Sequence, residues 1–198
     1  MATWPSLGSS PHKARGLGEL RGVIGDVDDH RLPARARALL TYEVEHLQAL
    51  EAHLAQLDRE LLAQARTDEA CQRLTGVSGI GPVIATAMVA TVGDARLFRN
   101  GRSFAAWIGL TPKQHSSGGK ELLLGISRRG DGYLRRQLTH GARSLVKIAQ
   151  GREGKLWAWI QGLLARRSFN TTVAAVANKL ARIVHAVLSR GEAYRAPA

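Results

Sequence analysis

Leucines 40, 47, 54 and 61 recur every seven residues, and Leu50 and Leu57 fill the offset of three between them, so residues 34–66 carry an apolar seam along one helix face. Glu45, Glu51, Asp58, Arg59 and Glu60 fall off that seam, and no Gly or Pro interrupts the run between Ala34 and Ala65. The pattern predicts one long coiled-coil-like helix. Two readings fit it equally: a zipper between copies of the chain, or an amphipathic helix packed on its own domain. Upstream, residues 1–33 mix Pro, Gly, Ser and charge with no sustained period apart from a short helical stretch at Leu20 to Ile24, and read as a linker or severed N-terminal end. Asp26, Asp28 and Asp29 in that segment read as a solvated turn.

Beyond residue 67 the period is helical and repeatedly broken by glycine. Helices are predicted over 68–75, 82–92, 101–108, 132–149, 155–166 and 171–189, with Asn100 and Asp131 as N-caps and Gly93 and Gly191 as stops. Strand-like alternation is nearly absent; the exception is Lys120 to Ile126 (KELLLGI), one arm of a hairpin or an extended loop. The expected fold is all-α, a coiled-coil-like helix followed by a multi-helix domain over 67–195 that contains a helix-hairpin-helix and a short loop or hairpin.

Composition narrows what such a fold can do. A hydrophobic share of 44% in 198 residues is enough for a true core. Lys and Arg outnumber Asp and Glu by 28 to 16, a net charge of +12 that favours a polyanionic partner. No run approaches the roughly 18 to 20 apolar residues of a spanning helix, and no signal pattern opens the chain, so a cytoplasmic location is expected. The single cysteine, Cys71, excludes an internal disulfide and reads as a buried small hydrophobe; no two histidines stand three or four apart, so no metal site is expected in this chain.

Three segments carry chemistry. Leu74 to Ala90 (LTGVSGIGPVIATAMVA) sets Gly79 and Gly81 in a tight turn before a helix that opens with Pro82. Bare amides and the positive helix end there suit a phosphate, without reading any base. The hydrophobic-x-Gly-hydrophobic-Gly pattern is similar to the helix-hairpin-helix family, and a purely structural turn would use the same glycines. Second, from Arg96 to Arg152 twelve Lys or Arg (96, 99, 102, 113, 120, 128, 129, 135, 136, 143, 147, 152) face two acids, Glu121 and Asp131. A solvated surface ordinarily mixes signs, so this stretch argues for phosphate contact. Gly79, Gly81, Lys113, Lys120, Arg128, Arg129, Arg135 and Arg136 are the candidate DNA-binding residues. Third, Thr111 to Lys120 (TPKQHSSGGK) presents Ser116 and Ser117 before two glycines, flanked by Lys113, His115 and Lys120. An accessible serine of this kind attacks a phosphodiester once its proton is removed and the phosphate charge is neutralised.

The order hairpin, FRNGRSFAAWIGL, SSGG, SRRGDGYLRR and NKLAR resembles the C-terminal transposase domain of the DEDD-type insertion-sequence transposases, the IS110 type with its Piv-like DNA invertase relatives, over roughly residues 19 to 195. The resemblance implies DNA transposition in which a serine of the Ser-Gly motif attacks DNA, assisted by a RuvC-like domain whose four acids bind magnesium. The motif falls on Ser117, with Ser116 as the weaker candidate. It also implies a structured guide RNA as a second partner besides DNA. The family's full enzyme carries an acidic residue on its first strand and an Asp-x-x-Asp pair after a basic residue, and neither occurs here. The expectation is therefore a truncated copy, inactive without a RuvC-like domain and needing magnesium only with it; a noncatalytic DNA-binding remnant or regulator of transposition is the alternative. Self-association through the coiled-coil-like helix is expected, and a membrane partner is not.

Overall fold

A computed structural model describes residues 18, 21–25, 33–114 and 123–195. Internal contacts divide the chain after Arg59, inside its longest helix. In the first part, residues 21–25 are helical, and Arg37 Nη1 donates to the carbonyls of Val23 and Ile24 at 3.0 and 2.7 Å. Helix α1 spans Ala34–Thr67, within a residue of the predicted boundaries. The expected turn at Asp26, Asp28 and Asp29 lies outside the described residues.

The second part is helical, as expected, with one small two-stranded sheet among the described residues. Its helices are α2 (Glu69–Thr75), α3 (Pro82–Val92), α4 (Gly101–Ile108), α5 (Gly132–Lys147), α6 (Lys155–Leu164) and α7 (Phe169–Arg190), with a 3₁₀ turn at Ala95–Leu97. Local chemistry explains the boundaries. Asn100 accepts from the amides of Arg102 and Ser103 to open α4, and Asp131 accepts from Leu134 to open α5. Gly109 and Gly191 close α4 and α7 in the left-handed conformation, while Gly93 ends α3 at φ 61°. Helix α7 begins two residues earlier than its periodicity suggests, because the Ser168 side chain accepts from the Thr171 amide and hydroxyl-caps the first turn. Helix α5 ends two residues early, and the chain then turns through Gly151 at φ 72°.

Helix α7 is the centre of the core. Thr172, Val173, Val176, Ala177, Leu180, Ala181, Val184 and Val187 form a continuous buried face, against which α4 and α5 pack. Phe104 of α4 is fully buried, edge-on to Phe98 and tilted against His185 of α7. The strands β1 (Pro112–Gln114) and β2 (Leu123–Ile126) pair antiparallel, with Pro112 opposite Ile126 and Gln114 opposite Leu123. One extra residue on β2 breaks the register between those pairs, as in a bulge.

Candidate functional site

The turn between α2 and α3 distinguishes its two glycines. Gly79 sits at φ +85°, and a Cβ there would lie 2.8 Å from Leu145 Cδ1. Its carbonyl oxygen in turn stands 2.0 Å from where a Cβ on Gly141 would be, so α5 and the turn meet backbone to backbone at two glycines. Gly79 thus serves packing. Gly81, the N-cap of α3, is in extended conformation with nothing within 4 Å of a Cβ. It has no side chain to cap the helix, and Pro82 brings no N–H, so the amides of Val83 and Ile84 open α3 without a side-chain cap. That end is the part of the turn with room for a ligand.

A second constellation holds the base of the β-hairpin. The α4 terminus and the Ser127–Gly130 loop approach so closely that a Cβ on Gly130 would fall 1.8 Å from the Trp107 carbonyl oxygen, and one on Gly109 2.5 Å from that of Arg129. Arg128 donates its amide to the Gly109 carbonyl and adopts φ 56°, and Ser127 donates to Thr111. Arg135 Nη1 donates to the Ile108 carbonyl at 3.1 Å, satisfying an end-of-helix acceptor of α4. From α7, Asn178 Nδ2 donates to the Leu110 carbonyl at 3.2 Å. Sequence reasoning noticed Asn178 only as part of NKLAR. Its signal was a polar residue set among Val176, Ala177, Leu180 and Ala181, the positions α7 buries.

The other expected site residues fall as follows. Lys113, Arg128, Arg129 and Arg136 are exposed, whereas Arg135 is half-buried in the helix-end contact. Ser116, Ser117, His115 and Lys120 lie outside the described residues. Of the two acids between Arg96 and Arg152, Glu121 also lies outside them, and Asp131 is engaged as the cap of α5. Arg96 is itself paired, at 2.9 Å, with Asp94 just before the stretch; donation from Arg96 side chain and backbone holds that carboxyl below its usual range. Among the described residues, no group of three or more His, Cys, Asp or Glu could hold a metal ion. Cys71 is buried, and its thiol is pushed from 9.0 up to about 11, by burial first and then by the Asp68 carboxylate beside it. It is a poor nucleophile in the folded chain. No helix among the described residues is long and apolar enough to cross a membrane.

Residues 71–157 match the Transposase IS116/IS110/IS902 family. Among curated proteins, the chain is 51% identical over 164 residues to a "Probable family 20 transposase" of Pseudomonas aeruginosa, covering 83% of this chain and 48% of that protein. It is 42% identical over 163 residues to the "Transposase for insertion sequence element IS1111A" of Coxiella burnetii, covering 82% and 44%. It is 36% identical over 180 residues to the "Transposase for insertion sequence element IS1328" of Yersinia enterocolitica, covering 91% and 54%. The chain spans about half the length of these relatives. Through the segment that contains the glycine turn, the braced hairpin and α5, the chain belongs to the IS116/IS110/IS902 family of insertion-sequence transposases.

Proposed function

We propose that this chain is the DNA-holding and strand-attacking portion of an insertion-sequence transposase. The observation that carries the reading is the transposase match running through the acid-poor stretch, where twelve cations face two acids. Such a surface addresses the phosphate backbone, which every DNA sequence presents alike. The α3 start at Gly81, where Val83 and Ile84 have no side-chain cap, adds a helix-end phosphate contact of the helix-hairpin-helix type. Lys113, Arg128, Arg129 and Arg136 supply exposed charge, and Lys120 adds a further cation to the stretch. Arg135 contributes charge from a fixed position, because its guanidinium also closes α4.

Within this reading Ser117 is the nucleophile, with Ser116 as the alternative hydroxyl. The serine Oγ forms a bond to phosphorus as its proton leaves, one P–O ester bond breaks, and the departing DNA oxygen takes up a proton. Cations beside the loop offset the charge that develops on the phosphate. Magnesium would come with acids from a RuvC-like domain. A guide RNA as second partner and self-association through α1 complete the proposal.

Salt dependence tests the binding part directly. Affinity for a duplex of arbitrary sequence is expected to fall steeply between 50 and 200 mM salt, by a factor on the order of 10³ if about six phosphates are contacted. Absence of binding at low salt, or binding indifferent to salt, refutes it. The chemical part is tested by mixing the chain with a separately expressed nuclease domain of a relative, magnesium, guide RNA and DNA. A covalent protein–DNA adduct lost in Ser117→Ala is the expected result; an adduct that survives that change moves the role to Ser116.

A further inference from the structure

Helix α5 has two unlike faces. Leu134, Leu138, Gly141, Ala142, Leu145 and Val146 are buried. Tyr133, Arg136, His140, Arg143 and Lys147 are all exposed. At 100° per residue those five positions fall within about 80° of arc, and at 1.5 Å per residue they run about 21 Å along the axis. No acidic residue occurs anywhere in α5. A cation near a helix N-terminus opposes the helix dipole, so Arg136 gains nothing there from the helix itself. A face needed only for solubility would interleave signs, as α1 does with Glu43, Glu45, Arg59 and Glu60.

Exposed aromatic rings flank the stripe. Tyr133 is 47% exposed at one end. Near the other, the Arg143 guanidinium stands 5.6 Å over the ring of Phe169, the first residue of α7, which is 37% exposed. Cations alone suffice to hold duplex phosphates, whose bases are already stacked on each other. Exposed rings beside a line of cations serve a strand whose bases are free to stack on them.

We propose that the outward stripe of α5 is a track for an unpaired DNA strand, with Arg136, Arg143 and Lys147 meeting successive phosphates and Tyr133 and Phe169 stacking bases. The inference rests on the DNA-holding reading above and names the form of DNA that this face takes. Unpaired DNA arises wherever strands are broken and exchanged. The Ser144 hydroxyl beside the stripe donates to the His140 carbonyl, so its proton is not offered to a ribose 2′-hydroxyl.

Anisotropy titrations of the full chain with a labelled 15-nucleotide oligo-dT and with a 15-base-pair duplex test the proposal. The double variant Tyr133→Ala, Phe169→Ala is expected to weaken oligo-dT binding about tenfold or more and to leave duplex binding unchanged, while Tyr133→Phe retains both. The triple variant Arg136→Ala, Arg143→Ala, Lys147→Ala is expected to make the salt dependence for oligo-dT shallower by about 2 in log–log slope. Circular dichroism on each variant keeps unfolding separate from lost contacts. If the wild-type chain binds duplex but not oligo-dT, or if the aromatic pair affects both ligands alike or neither, the track is refuted and the DNA-holding reading stands. If the wild type binds neither ligand, both fall. Tighter binding of oligo-U than of oligo-dT overturns the assignment to DNA.

Discussion

Helices α1 and α7 carry the same kind of apolar periodicity and use it in opposite ways. Along 22 residues α7 buries a whole face, with Leu180, Ala177 and Val184 at or near zero exposure. Along 34 residues α1 buries Val44 and Ala65, while Leu47, Leu50, Leu54 and Leu57 remain 40 to 62% exposed. The difference lies in the neighbours. Helices α4 and α5 cover α7, and Gly101 at the start of α4 comes so close that a Cβ there would lie 3.2 Å from the Arg182 Cα of α7. A repeating apolar stripe therefore announces a helix with a surface to cover, but not the surface that covers it.

The largest loss of stability is expected where α5 meets the glycine turn. Gly141→Val places a side chain where the Gly79 carbonyl already stands, and we expect loss of the cooperative thermal transition, overpacking at or beyond about 3 kcal/mol. A variant that melts like wild type contradicts the backbone contact. Next in size, Leu180→Ala should cost about 2 to 5 kcal/mol by leaving a cavity in the body. Leu54→Ala in α1 should cost well under about 1 kcal/mol in dilute solution, and chemical denaturation of the pair measures the contrast.

If α1 covers its leucines with those of a second copy, sedimentation at micromolar concentration shows association that Leu47→Ala, Leu54→Ala, Leu61→Ala together abolish. A wild-type chain that sediments only as monomer reassigns the stripe to packing within one chain. A smaller effect separates the two glycines of the turn. Gly81→Ala meets open space and should leave the melting temperature unchanged, yet weaken DNA binding about fivefold, the loss of roughly one hydrogen bond to phosphate. Unchanged affinity in that variant would make the turn purely structural.

The smallest expected effect concerns Cys71. Its folded thiol holds its proton more tightly than an unfolded one, so the stabilisation is complete below pH 9.0 and is lost as pH rises through about 11. The denaturation midpoint of wild type should therefore fall more across that window than that of Cys71→Ala. Parallel pH profiles for the two proteins would contradict the shift.

Residue types a few positions apart set the element boundaries. The limits of α3 and α4 follow from Pro82 at a helix start, the Asn100 cap and the Gly93 and Gly109 stops, all of which act within a few residues. Charge, family and the acid-poor stretch were legible for the same reason, since they depend on which residues are present and in what order. Tertiary structure alone decided the rest. It turned Gly79 toward α5 rather than toward open space, drew Arg135 onto the α4 terminus, and brought Asn178 to the Leu110 carbonyl across 68 residues of chain. It also selected which cations of α5 share one exposed line with Tyr133. Such assignments depend on which backbone passes within a few ångströms of a side chain, and no short-range pattern of residue types encodes that distance.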